Sequence, residues 1–125
     1  MTRSIPLIIK PAAKGPFTIN TGDGNDFVIL NIGRMAGALT ATTLGGIDTV
    51  RLASLLANIY SGAVGIFLGD GADTVNIGAA VDKFGVFKKT VKIDGGAGSD
   101  NTNVLAPVNI YRAGQPVFVD VETQN

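Results

Sequence analysis

A glycine-rich acidic turn recurs four times along the chain, and each copy closes on an aspartate. The four copies occupy residues 21–26 (TGDGND), 43–48 (TLGGID), 68–73 (LGDGAD) and 95–100 (GGAGSD). Their closing aspartates lie 22, 25 and 27 residues apart. A turn that returns at a spacing of about 20–50 residues is typical of architectures built from stacked coils. We therefore expect one coil of backbone per repeat.

Apolar and polar residues alternate on both sides of each turn, which predicts strands with one face inward. Superposing the repeats on their aspartates aligns the predicted inward positions into columns. The columns before the turn hold Phe17, Leu39, Val64 and Val91, then Ile19, Ala41, Ile66 and Ile93. The columns after the turn hold Val28, Val50, Val75 and Thr102, then Leu30, Leu52, Ile77 and Val104.

The predicted fold is all-β: a short right-handed parallel β-helix of about four coils of 22–27 residues plus a closing strand. Handedness follows from the general preference of parallel crossover connections. The closing strand is predicted at residues 116–122, with Val117, Val119 and Val121 inward and no further turn after it. Residues 55–60 fit either a strand or one helical turn. Residues 17–125 are predicted to form a single solenoid domain.

Residues 1–16 are predicted to form an extended N-terminal arm, because Pro6, Pro11 and Pro16 exclude a regular helix. Ile5 and the run 7–9 (LII) make this arm strongly apolar. Two interpretations remain open. The arm either covers the first coil of its own chain or adds as a strand to the sheet edge of a neighbouring subunit.

The composition argues against several classes of function. Ten basic and ten acidic residues balance, so we expect no general attraction to nucleic acid or to an anionic membrane. The chain lacks cysteine and histidine, and it therefore lacks thiolate ligands and the commonest general base. No apolar stretch is long enough to span a bilayer and no export signal is readable, so we expect a soluble protein made in the cytoplasm. We predict that it is not an enzyme.

The turns resemble the nonapeptide Gly-Gly-x-Gly-x-Asp-x-apolar-x of the RTX (repeat-in-toxin) calcium-binding β-rolls. The match is best at residues 95–103, 68–76 and 21–29, and poor at 43–51. In that family aspartates and turn carbonyls of successive coils ligate calcium, so the resemblance implies Asp26, Asp48, Asp73 and Asp100 as ligands. The family carries two such motifs per coil, whereas each coil here has one. The alternative is that each aspartate accepts N–H bonds of its own turn and that no cofactor binds.

The combination of a small solenoid with an apolar arm resembles the architecture of virion capsid cement (decoration) proteins and of short fibre proteins. That resemblance implies a non-enzymatic structural assembly protein, a homotrimer in contact with a capsid protein, made in the host cytoplasm and located in the virion. The predicted interface comprises apolar residues of the arm, strands and loops: Ile5, Leu7, Ile8, Ile9, Phe27, Ile29, Phe67, Tyr60, Phe84, Phe87, Ile110 and Tyr111. The alternative function is a calcium-binding RTX-like module of an extracellular protein or adhesin.

Overall fold

The predicted all-β solenoid is confirmed by the structure, a computed structural model that describes residues 2–4 and 8–125, with side chains from residue 12 onward. The described residues contain strands and turns but no helix. The strands are β1 (Thr2–Ser4), β2 (Ile8–Ala13), β3 (Phe17–Asn20), β4 (Asn25–Met35), β5 (Leu39–Thr42), β6 (Thr49–Leu52), β7 (Asn58–Tyr60), β8 (Val64–Phe67), β9 (Thr74–Ile77), β10 (Gly85–Phe87), β11 (Val91–Asp94), β12 (Asn101–Asn103), β13 (Ile110–Tyr111), β14 (Val117–Val119) and β15 (Thr123–Gln124).

Parallel pairing between successive coils forms two sheets. The strands before the turns stack in the order β14-β11-β8-β5-β3. The strands after the turns belong to a ten-stranded sheet, in which eight strands run β13-β10-β7-β4-β6-β9-β12-β15 and the remaining two, β1 and β2, both pair with β4. The long strand β4 joins its two halves, because its first half pairs with β6 and its last residues pair with β7. Each coil therefore has three faces.

About five turns of solenoid result. We number them coil 1 (residues 17–36), coil 2 (39–61), coil 3 (64–88), coil 4 (91–112) and the incomplete coil 5 (117–125). Residues 55–60, which fit two interpretations in the sequence, contain strand β7 at Asn58–Tyr60.

The predicted inward columns form the core. Val28, Val50 and Val75 lie in register and are fully buried. Leu30 and Leu52 form a second such column and are also fully buried. Thr102 continues the first of these columns and is also buried. Like residues thus meet at each step of the stack, where they exclude water from a narrow interior.

Three aromatic side chains stack inside the solenoid rather than at its surface. The rings of Tyr60 and Phe87 are parallel with centroids 4.9 Å apart, and those of Phe87 and Tyr111 are 5.1 Å apart. Tyr60 and Phe87 are fully buried and Tyr111 is partly buried. Their prediction as exposed interface residues was wrong for Tyr60 and Phe87, because the third segment of each coil turns these rings towards the core.

The last strand has a register one residue away from the predicted one. Phe118 pairs with Ile93 and packs against the core, whereas Val117 pairs with Lys92 and is 48% exposed. Val119 pairs with Asp94 and is partly buried, and Val121 is buried as predicted. The large Phe118 ring takes the inward position that the sequence analysis assigned to the valines on either side of it.

A further turn does follow this last strand, contrary to the prediction. Asp120 adopts a left-handed backbone conformation (φ 50°), and strand β15 then pairs with β12. The outward edge of coil 5 carries no further strand from the described part of the chain.

The N-terminal strands lie on the first coil. Strand β1 pairs with the start of β4, and β2 pairs with its second half, from Ile8 opposite Leu30 to Ala13 opposite Met35. The arm is therefore extended and covers an edge of its own coil 1. Ile5 and Leu7 lie outside the described residues. Addition of the arm to a neighbouring subunit stays a prediction.

Candidate functional site

The repeated turns bring the four closing aspartates into one buried column. Asp26, Asp48, Asp73 and Asp100 are at most 2% exposed. The backbone N–H of each one donates to the carboxylate of the next coil: Asp26 to Asp48 at 2.8 Å, Asp48 to Asp73 at 2.8 Å and Asp73 to Asp100 at 2.9 Å. The acceptor in each pair is Oδ1. The aspartates therefore join coils, and the interpretation that each one accepts N–H bonds of its own turn was wrong.

Glu122 ends this carboxylate column, which we define as Asp26, Asp48, Asp73, Asp100 and Glu122. The N–H of Asp100 donates to Glu122 Oε2 at 2.7 Å. Coil 5 reaches this position through a shorter turn than the others, and the longer glutamate side chain supplies the acceptor. Glu122 is not among the predicted site residues because no glycine-rich turn precedes it.

Glycine allows the turns to stack this closely. Gly71 has a φ of +132°, and a Cβ built on it would lie 1.7 Å from the carbonyl oxygen of Gly46 in the coil below. The N–H of Gly71 donates in turn to Ala97 O at 2.8 Å. Side chains at this position would separate the coils and break the hydrogen bonds of the carboxylate column.

The carboxylate column retains unused acceptor capacity. Both oxygens of Asp26 and the Oδ2 atoms of Asp48, Asp73 and Asp100 are buried without a hydrogen-bond partner in the described part of the chain. Burial above all, with the neighbouring carboxylates of Asp48 and Asp100, raises the pKa of Asp73 to about 7, although the N–H bond from Asp48 acts to lower it. Burial also raises the pKa values of Asp48 and Asp100.

A calcium ion would require six to eight oxygen ligands around one point. The unpartnered oxygens make a cation chemically reasonable, but they are distributed one coil apart along the stack. Among residues 2–4 and 8–125, no group of three or more acidic side chains is arranged to hold a metal ion. Calcium binding by the four predicted aspartates therefore stays a prediction.

Several predicted interface residues do lie at the surface. Phe27, Ile29, Phe67 and Phe84 are partly exposed, and Ile110 is 43% exposed. Arg51 lies over the Phe27 ring at 5.0 Å, and Lys92 lies over the Phe67 ring at 5.8 Å. These two rings are covered by cations from the next coil. Ile8 and Ile9 belong to β2, and their side chains are outside the described set.

A basic groove runs along the corner where the third segment of each coil ends and the chain turns into the next coil. Its four charged residues are Lys14, Arg34, Lys88 and Arg112, all exposed. The groove encloses about 470 Å³, and its floor is apolar, formed in part by Met35, Ile59 and Val86. None of the four cations forms an ion pair with a residue that the structure describes. Unpaired cations beside an apolar floor are suited to hold an acidic surface.

The corner formed by the turns is acidic. Asp23 and Asp70 line a cleft of about 310 Å³ together with Leu44, and Asp94 lies in the strand that leads into the fourth turn. Leu44 is 43% exposed and has a φ of 64°, which is rare for a leucine. We call Asp23, Leu44, Asp70 and Asp94 the acidic edge. The sequence analysis treated the first three only as parts of turns.

No helix in the described part of the chain is long and apolar enough to cross a membrane. Comparison with known protein families, with curated proteins and with solved structures finds no match for this chain.

Proposed function

We propose that the chain is a non-enzymatic structural assembly protein, and more narrowly a virion capsid cement protein that forms a homotrimer and stabilises a capsid lattice. The observation that carries the proposal is the difference between the two ends of the solenoid. The arm pairs with β4 of coil 1, whereas no described strand pairs with the outer edges of β13 in coil 4 or of β14 and β15 in coil 5. Ile110 of β13 and Val117 of β14 are exposed beside these edges. An open strand edge beside apolar side chains favours association with another chain.

The interior also suits a passive mechanical role. Coils are held to one another by continuous backbone pairing, by the carboxylate column and by the stack of Tyr60, Phe87 and Tyr111. Buried Asn109 adds a further link, because its amide donates to Ile77 O at 2.7 Å and its Oδ1 accepts from Gly85 N–H at 3.0 Å. Such a scaffold presents its outer residues at fixed spacing and resists local opening.

Light scattering of the purified chain tests the proposal. We expect a discrete oligomer, and a monomer at all concentrations would contradict it. Removal of residues 1–14 then tests the arm. If the shortened chain assembles as tightly as the full chain, the arm does not clamp a partner. For the narrower role, the measurement is the heat stability of the capsid lattice from the same virus with and without the protein.

A calcium-dependent module of an extracellular protein is the second candidate. The observation in its favour is the set of buried carboxylate oxygens without partners. Circular dichroism and melting in EDTA and in calcium test it. A higher melting temperature in calcium that is lost in Asp73→Asn would support this candidate. Identical melting curves in both solutions would contradict it.

A further inference from the structure

The basic groove and the acidic edge lie on different corners of the same solenoid, and their residues follow the same order of coils. Coil 1 contributes Arg34 to the groove and Asp23 to the edge. Coil 3 contributes Lys88 and Asp70. Each of these coils therefore carries one cation on one corner and one anion on another.

Coil 2 replaces charge with apolar residues on both corners, and coil 4 carries a charge only in the groove. Arg112 lines the groove, whereas Ala97 occupies the turn position of coil 4 that corresponds to Asp70. Asp94 precedes that turn, is partly buried and accepts the Gly96 N–H at 3.0 Å. Coil 2 carries Ile59 in the groove and Leu44 at the edge. Neither corner of coil 2 places an ionised side chain among these lining residues. The two corners thus match in charge at coils 1 and 3 and in apolar character at coil 2, while Lys14 and Arg112 extend the basic groove beyond these coils.

The register of the sheets gives both corners the same vertical spacing. Phe87 pairs with Tyr111, so Lys88 and Arg112 follow one another on successive coils, and Ile66 pairs with Ile93 on the face next to the acidic edge. Parallel pairing separates successive coils by about 4.8 Å wherever it is measured around the solenoid. A charge on the groove of one copy can therefore meet its counterpart on the edge of another only when both lie at compatible heights.

We propose that copies of this chain associate side by side, with the basic groove of one copy seated on the acidic edge of the next at equal coil height. The inference rests on the proposed assembly function and identifies its partner as a second copy of the chain. Rotation about an axis parallel to the solenoid keeps every coil at its own height, so this contact is compatible with a closed ring. The homotrimer of the proposed function is one such ring.

Leu44 gives an independent reason to place a contact at the acidic edge. A leucine at positive φ is strained relative to glycine, and the other three turns place a glycine at the corresponding position: Gly22, Gly69 and Gly96. Here the strained backbone projects an apolar side chain into solvent between two aspartates. Contact with the apolar floor around Ile59 would bury this side chain in the assembly.

Charge-reversal variants test the proposal, because Lys88, Arg112 and Asp70 are exposed and their side chains make no hydrogen bond or ion pair with described residues. The groove variant is K88E/R112E, and the edge variant is D70K. K89E is the matched control, since Lys89 is exposed but does not line the groove. We expect both test variants to associate on the order of tenfold more weakly or worse, and K89E to keep the mass of the native chain.

Mixing the two variants gives the sharpest readout. The intact edge of K88E/R112E can bind the intact groove of D70K, and in the reverse contact the K88E carboxylate of the first variant lies at the coil height of the D70K ammonium of the second. The mixture should therefore recover assembly that neither variant forms alone. The double variant D70K/K88E exchanges the charges of coil 3 on both surfaces and should restore the native mass. The double variant D23K/K88E changes coil 1 of the edge and coil 3 of the groove, so it places like charges at the same height and should not restore the mass.

Each outcome separates this inference from the proposed function. If the groove and edge variants keep the native oligomeric mass, the contact lies elsewhere and the inference fails, while the assembly function stands. If the native chain is a monomer, both fail. If the variants keep their mass but the groove variant alone loses binding to a DNA duplex or to heparin, the groove serves a polyanion and the inference is likewise wrong.

Discussion

The backbone N–H of Asp73 donates to Oδ1 of Asp100 at 2.9 Å, across one coil of the solenoid. The side chain of Asp73 in turn accepts the N–H of Asp48 at 2.8 Å. Asp48, Asp73 and Asp100 are thus each a donor to the coil above and an acceptor from the coil below, and Asp26 starts the series as a donor only. The carboxylate column functions as an additional ladder of hydrogen bonds beside the two sheets.

Replacing Asp73 by asparagine should leave this ladder intact. Asparagine keeps an acceptor oxygen for the N–H of Asp48 and removes a buried charge from between Asp48 and Asp100. We expect Asp73→Asn to be as stable as the native chain, or more stable, at pH 8. Asp73→Ala should lose about 1–3 kcal/mol in urea unfolding, because it leaves a buried N–H without a partner. Equal losses in both variants would contradict this role.

The carboxylate column should make the folded protein more stable in weak acid than in weak base. The pKa of Asp73 rises from 3.8 to about 7 on folding, so the folded chain binds more protons than the unfolded chain between these values. Stability should therefore fall as the pH rises through this window, and the raised pKa values of Asp48 and Asp100 act in the same direction.

Melting curves at several pH values check this dependence. We expect the melting temperature to fall by on the order of 5–10 °C between pH 5 and pH 8. Asp73→Asn should show a smaller fall. A native chain whose melting temperature rises over this range would show that the column is ionised and compensated in the folded state.

Stacking of the turns should be sensitive to one methyl group at Gly71. A Cβ there would lie 1.7 Å from Gly46 O, so Gly71→Ala should cost more than about 3 kcal/mol or prevent folding. Gly22 is the matched control, because it also has positive φ (+82°) but no atom within 4 Å of its Cβ position. Gly22→Ala should cost only about 1–2 kcal/mol in urea unfolding. Similar losses in both variants would show that backbone strain, and not contact with the next coil, sets the loss of stability.

The buried aromatic stack should contribute strongly to stability. Phe87 packs between Tyr60 and Tyr111 and is fully buried, so Phe87→Ala should lose about 3–5 kcal/mol. Val81→Ala is the control, since Val81 is 83% exposed and should change stability by less than about 0.5 kcal/mol. A loss under about 1 kcal/mol for Phe87→Ala would place this residue outside the stabilising core.

The burial of residues near the repeated turn could be predicted from the sequence. The 22–27-residue repeat of the turn and the two-residue alternation of apolar and polar side chains reinforce each other there. The turn sets the register of each coil, and alternation then assigns Val28 and Val50 to the core, as the structure confirms. The third face lacks such a marker, because its connecting segments differ in length. Tyr60 and Phe87 were consequently assigned to the surface.

The candidate surfaces were harder to predict for the same reason. Arg34, Lys88 and Arg112 meet in one groove only when the third segments are aligned by backbone pairing. No equal spacing in the sequence reveals them. The partners of the aspartates were also hidden, because side-chain acceptors of one coil and N–H donors of another are 22–27 residues apart.

The mass of the native chain at low and high salt tests the central claim most directly. Sedimentation at about 50 mM salt should show a discrete assembly, which the proposed function sets at three times the 12.8 kDa of one chain. At about 1 M salt the assembly should dissociate, because screening weakens contacts between the basic groove and the acidic edge. A single 12.8 kDa species at both salt concentrations would contradict the account.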